Sequence, residues 1–141
     1  MQLRMSPSEI ESTIAQGFGS AEQLFKIEKL EPGSLRLRTP FKPWMLRPGN
    51  AVSGPALFSA ADLAMYALVL GHVGPQLMAV TAQLNINFLS RGNPGDIISE
   101  ASLLKLGRKL AVIDVRLYCG DDPTLVAQVT GSYSLPSQVS K

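Results

Sequence analysis

The sequence predicts one α+β domain in which a single long apolar helix packs against an antiparallel sheet, and three observations predict it. Between Pro55 and Leu70 the only polar side chains are Ser59, Asp62 and Tyr66, and a helix apolar nearly all round is a buried helix. After that segment the chain alternates with period two. Ala82, Leu84, Ile86 and Phe88 alternate with Thr81, Gln83, Asn85 and Asn87, and Ala111, Ile113, Val115, Leu117 and Cys119 with Val112, Asp114, Arg116 and Tyr118. Such alternation gives a sheet one buried and one polar face. Finally, 141 residues suit one domain, 1–141, which can bury a sizeable core without a disulfide or a metal.

The elements follow in order. Ser6-Pro7-Ser8-Glu9 reads as a helix start, with Ser6 as cap, Pro7 in the first turn and Glu9 three residues after the cap. Ile10 and Ile14 then lie on one face of a short helix over 7–16 that ends near Gly17. Leu24 to Leu30 and Leu35 to Thr39 form a hairpin, because Pro32-Gly33 between them is the pair that a type II turn requires. Pro43, Pro48 and Gly49 make Phe41 to Val52 an irregular loop. Pro55 opens the long helix, which Gly71 and Gly74-Pro75 end. Strands follow at about 80–88, Ile97 to Leu106, 111–119 and 125–130, separated by Arg91-Gly92-Asn93-Pro94-Gly95, Gly107-Arg108-Lys109 and Gly120-Asp121-Asp122-Pro123. The tail after Pro136 reads as frayed.

Composition excludes several functions. A formal net charge of +2, with both signs interspersed, argues against a dedicated nucleic-acid binder. One cysteine, Cys119, forbids an internal disulfide and fits a reducing, cytoplasmic compartment. The first six residues are too short and polar for a signal peptide, and the apolar stretch Ala56 to Leu70 carries Asp62 and is shorter than a membrane span, so no membrane is expected. One histidine, His72, cannot build a histidine-rich metal site, and it reads as a surface residue where the helix ends.

Asp62 stands out. A carboxylate on an apolar helix is costly to bury unless paired, and a desolvated one suits a general base. The other reading is that it caps a loop or reaches solvent. Ser53-Gly54-Pro55 enters the same helix. Its backbone N–H groups can polarise a carbonyl or hold an anion, and Gly54 lets a ligand approach its amide closely. Ser53 also reads as an ordinary helix cap, and no nucleophile elbow surrounds it. Arg91, Arg108 and Lys109 sit in turns, either solvating a loop or meeting a phosphate.

The stretch Val52 to Met65 resembles the core of the hotdog-fold acyl-CoA thioesterases and is most similar to the PaaI type, linked to phenylacetic acid degradation. Val80 to Leu89 followed by Gly95-Asp96, and Gly107 to Val112, carry the same resemblance, which runs from about Leu24 to Leu135. It implies a long helix wrapped by a curved antiparallel sheet, with sites shared between the subunits of a homodimer or homotetramer. It also implies Asp62 as base or nucleophile, the Gly54 amide as the group polarising the thioester carbonyl, and Thr81 as a hydroxyl that orients water. Arg91, Arg108 and Lys109 resemble the basic positions near the coenzyme A phosphates. The substrate implied is an acyl-CoA, an aryl or phenylacetyl ester included, with no further cofactor. Ser53 stands where the family has histidine, Pro55 where it has a second glycine, and Arg47 where it has asparagine; Asn50 is the nearby asparagine. These replacements leave a second reading, a non-catalytic acyl-CoA or hydrophobic-ligand binder, and a third, a structural oligomerisation domain.

Overall fold

A computed structural model describes residues 2–19, 24–76 and 78–136. The frayed tail expected after Pro136 falls on residues outside that set. The first helix, α1 (Pro7–Gly17), opens on the expected capping box: the Ser6 hydroxyl accepts from Glu9 N at 3.2 Å, and the Glu9 carboxylate accepts from Ser6 N at 2.8 Å. Its buried residues are Ile10 and Ile14. The hairpin follows as β1 (Lys26–Glu31) and β2 (Ser34–Thr39), with Gly33 at φ +85° as a type II turn demands.

The expected irregular loop is more ordered than its sequence suggested. A single turn of 3-10 helix at Pro43–Met45 leads into a two-residue ladder, β3 (Leu46–Arg47) against β4 (Ala51–Val52). The turn between them places Gly49 and Asn50 in the left-handed region, at φ +97° and +61°, where Asn is among the few side chains tolerated.

The long helix α2 (Gly54–Val73) runs past Gly71, where the sequence suggested it would end, and stops at Gly74 with φ +88°. Gly71 is buried inside the helix with Ile10 and Leu30 packed beside it; a Cβ there would meet Ile10 Cδ1 at 3.4 Å and Leu30 Cδ1 at 3.6 Å, ordinary contact distances. His72 is a second correction. It is buried, not on the surface; its Nε2 accepts from Gly33 N and its Nδ1 donates to the Leu68 carbonyl, both at 2.9 Å. By length and composition α2 could cross a membrane, but most of it is buried in the core of the chain.

Four long strands complete the fold: β5 (Val80–Phe88), β6 (Ile97–Leu106), β7 (Leu110–Cys119) and β8 (Ala127–Ser134). The last runs four residues beyond the expected 125–130. The main sheet is antiparallel, six-stranded, in the order β1-β2-β6-β7-β8-β5, and α2 lies against β2, β5, β6, β7 and β8. That confirms the α+β expectation. Burial alternates along β7 and β8 as the period predicts. Along β5 the alternation is muted: Leu84 and Ile86 are only half-buried, Ala82 is exposed, and Phe88 is 57% exposed. The reason is topological, since β5 is an edge strand with its far side unpaired among the described residues.

Candidate active site

Asp62 projects from the middle of α2 and is half-buried. It is also paired, the condition under which a carboxylate on an apolar helix is tolerated. Its Oδ1 accepts two hydroxyl donors, Thr81 Oγ1 and Tyr133 Oη, each at 2.7 Å. Tyr133 Oη also lies 3.2 Å from the Asp62 main-chain carbonyl. The two donors converge because Thr81 on β5 is the direct cross-strand partner of Tyr133 on β8. A bulge in β5 between Thr81 and Gln83 sits at the same place, and bulges re-aim side chains. Gly131, one turn of alternation earlier on β8, lets α2 come close; a Cβ there would lie 2.7 Å from Met65 and 3.1 Å from the Gln83 carbonyl.

Burial pushes the Tyr133 phenol far above its usual range, and the negative charge of Asp62 pushes the same way. The phenol therefore stays protonated and serves as a donor. Its ring stacks on Tyr66, one helical turn beyond Asp62, with centroids 5.8 Å apart, and Tyr66 in turn meets Phe18 at 6.5 Å. Oδ2 of Asp62 makes no hydrogen bond to any described residue.

Asp62 stands on the wall of a cavity of about 470 Å³, otherwise lined mainly by apolar groups that include Phe18, Leu24, Trp44, Met45 and Leu63. The size is that of a small-molecule site, and one carboxylate in an apolar concavity is the usual pattern of such sites. Phe18 comes from the end of α1 and Trp44 from the 3-10 turn, so the short first helix and a segment that reads as an irregular loop supply this wall.

A second cavity, of about 530 Å³, lies at the start of α2 and is lined by Arg47, Gly54, Leu57, Phe88, Arg91 and Gly92. Ser53 is the helix cap: its hydroxyl accepts from Ala56 N at 3.2 Å. Gly54 packs closely on Phe88: a Cβ there would lie 3.2 Å from the edge of that ring, which would have to shift slightly. Its N–H makes no hydrogen bond to a described residue. Arg91 donates to the Gly49 carbonyl, which fixes the guanidinium beside this cavity, while Asn50 is exposed in the turn. Arg108 and Lys109 lie at the other end of α2; Arg108 lines a cavity of about 290 Å³ with Arg4 and His72.

Within one chain the residues singled out from sequence thus fall into three places. Ser53, Gly54, Asn50 and Arg91 gather at the start of α2, Asp62 and Thr81 at its middle, Arg108 and Lys109 at its end. Gly54 and Asp62 are eight residues apart on one helix, about 12 Å of rise, too far to act on one carbonyl. Tyr133 was missed because it lies past the stretch read as strand. The signal was present: Ala127, Val129, Gly131 and Tyr133 continue one alternation.

A family model described as the thioesterase superfamily matches residues 49–126. A "putative esterase" of Saccharolobus solfataricus is 33% identical over 136 residues, covering 92% of this chain and 85% of that protein. Among solved structures, a "putative thioesterase" from a Silicibacter species has a TM-score of 0.87 at 36% identity, covering 96% of this chain and 95% of that one. Two others share the fold at lower identity. The PaaI protein of the E. coli phenylacetic acid degradation operon has a TM-score of 0.72 at 22% identity, covering 90% of this chain and 95% of that one. A hypothetical thioesterase from Streptococcus pneumoniae, solved with coenzyme A, has a TM-score of 0.72 at 21% identity, covering 96% of this chain and 100% of that one.

Proposed function

This chain belongs to the thioesterase superfamily and has its hotdog fold, and from that premise we propose that it hydrolyses an acyl-CoA thioester to the free acid and coenzyme A. The observation that carries the reading is Asp62, anchored through one oxygen by Thr81 and Tyr133 on the wall of an apolar cavity. The acyl group enters that cavity. Phe18 and Trp44 on its walls favour a flat, aryl or phenylacetyl-like group, as in the PaaI type. Water takes the place between the Thr81 hydroxyl, whose oxygen can accept as well as donate, and Oδ2 of Asp62. The carboxylate removes its proton as the oxygen attacks the carbonyl carbon; the C–S bond then breaks and the thiolate of coenzyme A leaves.

The oxyanion needs a donor, and the Gly54 N–H at a helix start is suited to it. Because Gly54 is about 12 Å of helix from Asp62 in the same chain, the donor comes from a second copy. The exposed edge and apolar residues of β5, Val80 and Phe88 among them, are the surface on which two copies meet in the proposed dimer. Arg91, beside Gly54, then faces the nucleotide phosphates of the coenzyme, with Arg108 and Lys109 as further cations. The reading calls for no metal or additional cofactor, and an acyl-CoA substrate fits a cytoplasmic protein.

A panel of acyl-CoA esters, with thiol release measured for each, tests the proposal. Turnover of an aryl or phenylacetyl ester above short straight-chain esters supports it. Tight binding without thiol release selects the binder instead, for which one observation speaks: the Ser53 hydroxyl is engaged as a helix cap.

A further inference from the structure

We infer that Tyr133 is a positioning residue for the reaction: with Thr81 it holds Asp62 by Oδ1 and so leaves Oδ2 as the oxygen that takes the proton. The inference rests on the hydrolase reading and adds to it a residue from the far end of the chain.

Tyr133 is 3% exposed, and a buried hydroxyl must find an acceptor. A purely structural phenol would be satisfied by the Asp62 main-chain carbonyl, which lies within reach at 3.2 Å. The shorter contact, at 2.7 Å, goes to the carboxylate. Thr81 reaches the same oxygen at the same distance. Two donors on one oxygen fix the plane of the carboxylate and deplete the lone pairs of that oxygen. The other oxygen has no hydrogen-bond partner among the described residues, and Asp62 lines the cavity. The phenol cannot swing away freely, because its ring is stacked on Tyr66 with an interplanar angle of 15°. Its burial also keeps it a donor across the working pH range. Few groups compete for the role. Among the described residues, Lys42 is the other charged group lining the cavity, and Tyr66 a titratable one packed on Tyr133.

The consequence has a sign. Hydroxyl donors favour the ionised carboxylate, so removing one makes deprotonation harder and moves the acidic limb of the rate profile to higher pH. Tyr133→Phe keeps the ring and its stacking and deletes only the donor.

The experiment compares wild type, Tyr133→Phe, Asp62→Asn and the double variant on the best acyl-CoA ester. Melting temperatures are measured on the same preparations, and carboxyl carbon NMR follows the Asp62 titration without turnover. For Tyr133→Phe we expect kcat to fall about tenfold, KM to stay near wild type, and both the acidic limb and the carboxyl titration to move up together. In the Asp62→Asn background the same change should be silent, because the phenol acts through the carboxylate. A wild-type limb and titration in Tyr133→Phe overturn the inference, whatever happens to its melting temperature. So does an equal loss of rate in the Asp62→Asn background. If the wild type releases thiol from no ester, the hydrolase reading fails and the catalytic role of Tyr133 fails with it. The carboxyl titration then still separates that failure from an absent contact.

Discussion

Replacing Asp62 by Asn tests the proposed chemistry most directly, because the substitution keeps the shape of the side chain and removes its basicity. The amide oxygen of Asn can still accept from Thr81 and Tyr133, the two hydroxyls that meet Oδ1 at 2.7 Å. The group that replaces Oδ2 is an NH2, which donates and cannot take a proton. Turnover should fall by about two to four orders of magnitude, the scale of a lost general base. Stability should fall slightly. Two charge-assisted hydrogen bonds become neutral ones, a difference of about 1 kcal/mol each. Asp62 is half-buried, so screening by solvent reduces the sum to about 1 kcal/mol. For a chain of this length that lowers the melting temperature by about 3 °C. A carboxylate buried without partners would instead gain stability from this change; the two hydroxyls reverse the sign. Thiol release and thermal melting on one preparation provide the assay. A variant that hydrolyses its best ester at the wild-type rate and melts at the wild-type temperature refutes the assignment.

Arg91→Ala should raise KM for acyl-CoA much more than for a short thioester without the nucleotide, and Arg108→Ala should do so to the extent that a second copy brings it to the same ligand; equal effects on both substrates reduce these residues to fold support. Sedimentation at micromolar concentration should show at least a dimer, and a stable active monomer would sink the shared site. His72→Leu leaves the Gly33 N–H without its partner in a part-buried site, so it should cost about 1–3 kcal/mol and lower the melting temperature by about 3–9 °C. Burial, helped by the nearby charge of Asp122, pushes the Cys119 thiol up to about 11. The native protein should therefore react slowly with a thiol reagent at pH 8 and fast once unfolded. Because the folded state holds that proton longer than the unfolded one, stability should fall as pH rises from about 8.5 towards 11; rapid native labelling at pH 8 would contradict this.

Much of the fold was legible because its signals are local. The capping box of Ser6 and Glu9, the Pro32-Gly33 turn and the alternation of β7 each depend on residues within a few positions of one another. The errors mark where locality ends. Gly71 reads as a helix stop, yet Ile10 and Leu30 pack on it from other elements and the helix continues. His72 reads as exposed, yet the hairpin turn at Gly33, 39 residues away, closes over it. Phe41 to Val52 reads as shapeless, yet it carries Trp44 to the cavity beside Asp62.

The sequence by itself determined the class of the fold, the helix that carries the candidate site and the carboxylate that marks it. An acidic residue on an all-apolar helix is conspicuous wherever the chain goes. Only the tertiary structure decided what that carboxylate touches. Tyr133 lies 71 residues from Asp62 and reaches it because β8 pairs with β5, a register that no short window of sequence contains. The strand order likewise leaves β5 at the edge, and so turns a run that reads as buried into an exposed surface. Side-chain periodicity states that a face is apolar; which strand ends up beside it, and whether anything covers it, is set by the pairing of the whole sheet.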